Sequence, residues 1–238
     1  MSAHHPDDMN LLNYTAGNLS AAQALAVTMH LCACHNCRTH IKKLNNVGGA
    51  LLDKITPASN SDAEFDALLS RLEPHTAYAQ QPQVGTTSDR NNAHTLGAKS
   101  DAITEAASTA EYRNPLTRFL PAPLKDLPWQ RQSSEISMFD LSSLINDDGF
   151  QVRLQKINAG ARVPKHTHKG FEYTVILAGG FSDELGVYHS GDFIERDSQH
   201  YHSPTALQNE DCICLTVLNA PLKFTGWQRI FNPFMAWH

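Results

Sequence analysis

Residues 160–179 read GARVPKHTHKGFEYTVILAG, and residues 191–202 read GDFIERDSQHYH. His166, His168 and Glu172 fall within seven residues, and the second stretch ends on His202. On an extended strand, side chains alternate with period two, so His166, His168 and Glu172 share one face. A third imidazole, His202, comes from a later strand. Three neutral nitrogens and one hard carboxylate suit Zn, Mn, Fe or Ni, and they mark a metal site. His200 would face the same way as His202 and is the rival third imidazole; the interval from Gly191 favours His202.

This spacing resembles the cupin double motif. Gly160, Gly179 and Gly191 stand where that pattern expects turns. The second half departs from it, with Asp197 at a usual proline, Gln199 at a usual glycine and Ala206 at a usual asparagine, while the interval from Gly191 to His202 is kept.

A second constellation lies near the N-terminus, His30-x3-Cys34-x2-Cys37. Positions i, i+4 and i+7 share one face of a helix or of a helix–turn–helix corner. Two thiolates and one imidazole leave a tetrahedral zinc one ligand short, and the His4-His5 pair can supply it. Four protein ligands make a closed, structural site. Redox Cys-x2-Cys pairs usually follow a strand in a βαβ unit, and no such unit is visible. Cys32 would point elsewhere on a helix and reads as a buried small residue.

With HHPDDMNLLNYTAGNLSAAQALAVTMHLCACHNCR (residues 4–38) added to the cupin pattern, the chain resembles the ChrR-type zinc-dependent anti-sigma factors. These join an N-terminal anti-sigma domain to a C-terminal cupin. The resemblance implies that His5, His30, Cys34 and Cys37 hold a structural zinc, His5 being preferred to His4 by its distance from His30. It implies that His166, His168, Glu172 and His202 hold zinc or another divalent metal. It also places a Cys-x-Cys ten residues after the last cupin histidine, where Cys212 and Cys214 stand. The implied partner is an extracytoplasmic-function-type sigma factor, released when the cupin senses oxidative or related chemical stress. No catalytic residue is assigned, and a homodimer through the cupin is compatible with the pattern. The competing reading is a dioxygenase-like cupin enzyme acting on a small molecule.

Composition narrows the classes. The chain has 238 residues and is 41% hydrophobic, ordinary for a globular protein. No apolar run long enough for a membrane span occurs. No basic segment followed by an apolar one opens the chain, so no secretory signal is expected. Five cysteines, three of them bunched, point to a reducing cytoplasm rather than a disulfide scaffold. Net charge is −5, without a Lys/Arg stripe, which argues against direct nucleic-acid binding.

The pattern along the chain predicts an α+β multidomain protein: a small all-α zinc-binding domain over 1–74, a linker over 75–113 and an all-β cupin jelly roll over 114–238. Asp7 or Asp8 should cap a first helix ended by Gly17, and Ser20 a second reaching about His30. A third helix should open near Cys37, with Gly48-Gly49 bending or breaking it. A fourth, capped by Ser61 or Asp62, should carry a Phe65, Leu68, Leu69, Leu72 stripe, and a short helix is expected between Asp101 and Tyr112. Strands are expected over 135–141, 150–157, 172–177, 192–195 and 212–218.

Overall fold

A computed structural model describes residues 2–56 and 114–224. The chain divides into two compact units, residues 1–46 with 107–238, and residues 47–106. The first begins with helix α1 (Asp8–Thr15). Asp7 caps it, its carboxylate accepting from Asn10 N–H at 2.7 Å, and Gly17 closes it at φ +70°. Helix α2 (Ala21–Ala33) starts on a capping box of Ser20 and Gln23. It runs one turn beyond the predicted end, because neither a glycine nor a proline stops it before Cys34. Cys34 breaks to extended backbone, and α3 (His35–Leu52) starts directly after it. Helix α3 passes through Gly48 and Gly49 unbroken. Both keep helical backbone at a cost of about 1 kcal/mol per glycine, with Ala50, Leu51 and Leu52 carrying the helix on after them. Of the second unit, residues 47–56 are described, the end of α3 and the turn after it. The predicted fourth helix, the helix between Asp101 and Tyr112 and the linker lie outside the described residues.

After two short 3-10 turns (Pro115–Arg118 and Leu124–Asp126) the structure is mainly β, interrupted by one short helix (Ser142–Ile145). Eleven strands are described: β1 (Gln130–Arg131), β2 (Ile136–Asp140), β3 (Gln151–Ile157), β4 (His166–His168), β5 (Glu172–Ala178), β6 (Gly180–Asp183), β7 (Gly186–His189), β8 (Phe193–Arg196), β9 (Thr205–Ala206), β10 (Cys212–Leu218) and β11 (Leu222–Phe224). The large sheet has the order β1-β2-β3-β10-β5-β8; β11-β4 and β7-β6-β9 form two smaller ones, and every pairing is antiparallel. The predicted strands are present with ends shifted by a residue or two. One expectation is corrected. His166, His168 and Glu172 do not share a strand; a turn through Lys169 and Gly170 puts the histidines on β4 and the carboxylate at the head of β5. A Cβ at Gly170 would meet the Asn219 side chain at 2.0 Å, so only glycine allows this tight passage.

Helix α2 is apolar nearly all round and is correspondingly buried. Leu25, Ala26 and Met29 join Leu11, Val152, Leu154, Tyr173, Phe193 and Leu215 in one apolar cluster. The N-terminal helices and the large sheet therefore share a core, each buried Leu or Met stabilising it by roughly 1.5–3 kcal/mol. Polar ties run along the same seam. Asp147 accepts from Ala22 N–H at the start of α2 (2.7 Å), and Asn10 accepts from the Tyr173 hydroxyl (2.8 Å) while donating to Glu195 (3.1 Å).

Two candidate metal centres

At the cupin site the backbone sets the donors side by side. His166 and His202 pair as an antiparallel bridge, each N–H donating to the other's carbonyl at 3.1 Å. His166 and His168, two apart on β4, face the same way, and Glu172 enters from β5. One donor atom from each of the four lies within 4.8 Å of the others, and all four residues are buried. His168 Nε2 lies 3.2 Å from His202 Nε2 and 3.3 Å from Glu172 Oε2. The tautomers follow from the partners. His166 Nδ1 sits 2.8 Å from the Pro164 carbonyl, and His202 Nδ1 sits 3.2 Å from Asp183 Oδ2. A carbonyl or carboxylate oxygen only accepts, so these Nδ1 atoms carry the protons and each Nε2 turns a lone pair inward. Converging lone pairs in a buried space repel unless a cation lies among them. The donor set, three imidazoles and a carboxylate with hydrogen-bonded outer partners, fits a divalent metal.

Electrostatics agrees. Burial, reinforced by His202, lowers His166 to about 4. Burial and the neighbouring His166 and His202 lower His168 to about 3. Both stay neutral, the form that ligates. Burial raises Glu172 to about 7, against the pull of His202 and Arg196. Burial would also raise Asp183, but hydrogen bonds from His202 and Leu185 N–H, with the Arg196 guanidinium, hold it down at about 2. Asp183 is therefore an anion behind His202, an outer partner that the sequence reading did not single out. Its signal was slight, one acidic residue at the end of a short strand between the two halves of the motif.

At the N-terminal site His5, His30, Cys34 and Cys37 converge in the same way. His5 Nδ1 lies 3.4 Å from His30 Nε2, 3.4 Å from Cys34 Sγ and 3.5 Å from Cys37 Sγ, and His30 Nε2 lies 3.3 Å from Cys37 Sγ. These separations match the edges of a tetrahedron with zinc-type bonds, about 3.3–3.8 Å from Zn–N and Zn–S lengths. The corner between α2 and α3 places the three later donors; His5 arrives from the extended N-terminal segment. His30 Nδ1 donates to the Gly191 carbonyl at 2.7 Å, which leaves Nε2 for a metal. Burial lowers His30 to about 4, partly opposed by that hydrogen bond. Burial and the adjacent Cys34 raise Cys37 to about 12.

The rivals stand apart. His4 packs its ring on Tyr188, centroids 4.6 Å apart. His200 turns to Asp197, Nδ1 to Oδ1 2.7 Å. Cys32 is half-buried and outside both groups. Cys212 and Cys214 are buried on β10, and Cys214 lines the small cavity beside His166, Glu172 and His202. The hydrogen bond with Cys212, then burial, raise the Cys214 thiol well above its ordinary value, so it is not a ready thiolate.

The fold and the two donor sets define a class: a cupin carrying a buried three-His, one-Glu centre, preceded by helices that carry a His2Cys2 centre. Residues 121–221 match the family described as the ChrR Cupin-like domain. Over 233 residues the chain is 29% identical to the anti-sigma-E factor ChrR of Cereibacter sphaeroides, covering 97% of each protein. It also resembles the crystal structure of Rhodobacter sphaeroides SigE in complex with the anti-sigma ChrR, with TM-score 0.67 and 28% identity over 90% of this chain and 98% of that one. The chain is thus similar to ChrR along nearly its whole length.

Proposed function

We propose that this protein is an anti-sigma factor and not an enzyme. Its helical N-terminal region, with zinc on His5, His30, Cys34 and Cys37, sequesters an extracytoplasmic-function-type sigma factor. The cupin, with a divalent metal on His166, His168, Glu172 and His202, senses oxidative or related chemical stress and lowers that affinity. The observation that carries this reading is the end-to-end likeness to ChrR, and the two donor sets that this chain brings together support it. Held by His5, His30, Cys34 and Cys37, zinc would supply a cross-link, and a metal held by His166, His168, Glu172 and His202 would supply a fixed positive charge with Lewis acidity. The chain's own residues do the rest. Cys34 and Cys37 tie α2 to α3, His5 ties both to the N-terminal segment, and Asp183 orients His202. In functional terms the division is 1–74 for partner binding, 75–113 as connector and 114–238 for sensing. A cytoplasmic location fits a partner of that kind, and among the described residues no helix is long and apolar enough to cross a membrane.

Two further observations favour a regulator. Met9 and Leu12 on α1 are exposed, as are Val47, Leu51, Leu52 and Ile55 along α3 and just after it. Apolar side chains displayed on helices suit a protein partner. The cavity beside the cupin donors is about 40 Å³. That is room for one or a few waters or a diatomic molecule, not for the organic substrate of a dioxygenase.

The test is co-expression of the full chain with the sigma factor encoded beside it. A soluble 1:1 complex that blocks transcription from the cognate promoter, and is lost in Cys34→Ala, is the expected result. Absence of any complex, together with oxygen consumption by the iron-loaded chain on a small diketone or thiol, would overturn the reading in favour of an enzyme.

A further inference from the structure

The two centres share one outer frame, the segment Gly186–Arg196, in which β7 and β8 lie in different sheets and are joined by the turn through Gly191. At its tip the Gly191 carbonyl accepts from His30 Nδ1. Next to it Asp192, 1% exposed, uses both carboxylate oxygens. Oδ2 accepts from His189 N–H at 2.9 Å and ties the turn. Oδ1 accepts from Ala3 N–H (2.7 Å) and His4 N–H (3.2 Å) and ties the segment that carries His5. Phe193 N–H donates to the His4 carbonyl at 3.0 Å.

The same segment reaches the cupin centre. Arg196, at the end of β8, pairs with Asp183 Oδ2 at 3.4 Å, and that oxygen also accepts from His202 Nδ1 at 3.2 Å. Arg196 also donates to the Tyr188 hydroxyl, which in turn donates to Asp183 Oδ1 at 3.2 Å. The Tyr188 ring carries the His4 ring against it. The path from His202 to His5 thus runs through Asp183, Arg196, Tyr188 and His4 by hydrogen bonds, an ion pair and a ring contact, and its last step, from His4 to His5, is the chain itself. Outer partners of this kind orient metal ligands and change affinity ten- to a hundredfold when lost.

We propose that Asp183, Tyr188 and Arg196 form a positioning network that couples the two metal centres, so that a filled cupin site holds the N-terminal metal more tightly. This rests on reading both donor sets as metal sites. A cation among His166, His168, Glu172 and His202 fixes His202 with its Nδ1–H on Asp183. Asp183 then holds Arg196 and Tyr188 in the arrangement that braces His4 and the Gly191–Asp192 turn. When the cupin site is empty, His202 is free to reorient and the brace loosens. By linkage the effect is reciprocal, and the N-terminal metal tightens the cupin site by the same factor. The physical content of such a path is a measurable coupling, not adjacency alone.

The test uses the full chain loaded with Co2+ at both sites. Only the His2Cys2 centre gives a thiolate-to-cobalt charge-transfer band, so that band reports the N-terminal site by itself. Its loss to excess chelator is timed in the native protein and in His168→Ala, which empties the cupin site. Release should be about tenfold faster in His168→Ala, within the ordinary range of coupling between sites. Tyr188→Phe, which removes one hydroxyl and keeps the ring, and Arg196→Leu should bring that ratio towards one. Arg196→Lys keeps a cation on Asp183 and should retain most of it. If Arg196→Leu does not fold, Tyr188→Phe decides alone. Equal release with the cupin filled or emptied, or an undiminished ratio in Tyr188→Phe, overturns the coupling. A chain that holds fewer than two metal ions overturns the site reading as well. Two ions released independently overturn the coupling and leave the site reading standing.

Discussion

Burial shifts the protonation of Glu172, His166, His168, His30 and Cys37, and the two sets answer to pH differently. Before a metal binds, Glu172 lies at about 7, above its ordinary 4.5, because it is buried. A raised carboxyl favours the protonated folded state. The metal-free fold therefore gains stability from this group as pH falls from about 7 towards 4.5, while metal binding must expel the proton. The Glu172 proton by itself should make cupin-site affinity fall about tenfold per pH unit below 7, since it competes with the metal. His166 and His168, near 4 and 3, do not compete in that window. Calorimetry in buffers of different ionisation enthalpy should count at least one proton released at pH 6, the one that Glu172 holds. An affinity that is flat from pH 5 to 7 would rule this out. At the other centre Cys37, held at about 12 in the free thiol form, must also lose its proton to ligate. Cys37→Ser should drop the metal content from two ions per chain to one by native mass spectrometry. It should also lower the stability of the α2–α3 corner by several kcal/mol, because a structural zinc contributes folding free energy. Retention of both ions would contradict the role given to that thiol.

At the scale of elements, much was legible in the sequence, and the misses share causes. Asp7, Ser20 and Gly17 announced the ends of α1 and α2 because capping is local chemistry. β10 was legible to the residue because an apolar run between turns has one short-range reading. The turn at Lys169-Gly170 was missed because its reason is a distant side chain, Asn219, filling the place of a Cβ. The donor sets were legible because ligand spacing is a local pattern, whereas Asp183 and Arg196 join the site only through sheet pairing. The depth at which α2 is buried had a signal that went unused: Leu25 and Met29 share one face and Val27 lies on another, so the helix carries apolar residues on two faces. Gly48 and Gly49 were read as bending or breaking the helix, yet α3 continues through them, and among the described residues nothing stands within 4 Å of where each Cβ would be. Gly48→Ala and Gly49→Ala should therefore each stabilise the helix by about 0.5–1 kcal/mol, through propensity and the unfolded chain's lost freedom. Thermal unfolding followed by circular dichroism measures this, and a loss of stability in either variant would show that the glycines serve something other than the helix.

At the scale of the whole molecule, the seam between the N-terminal helices and the sheet decides how the chain behaves as a unit. Leu25, Ala26 and Met29 reach into the core that Val152, Leu154, Tyr173 and Phe193 build, and the hydrogen bonds of Asp147, Asn10 and Asp192 flank it. Gly191 is the tightest point of this seam. Its φ is +92°, and an added Cβ would stand 2.9 Å from Ala33 Cβ and 2.8 Å from Ser2 Oγ. Ala33 ends α2 and cannot give way without moving the corner that carries Cys34 and Cys37. Gly191→Ala should therefore cost about 2–4 kcal/mol, from a left-handed backbone on a residue with a Cβ and from the overlap itself. The loss should be local in hydrogen exchange. Amides of α1 and α2 should exchange faster, while those of β3, β5 and β10 keep their protection, because the strain falls on the seam and not on the sheet. Ser2→Ala in the same background should recover little, since the Ala33 contact remains. If exchange instead quickens uniformly across the sheet, the helices and the cupin unfold as one cooperative body, and a signal could not loosen the seam without melting both.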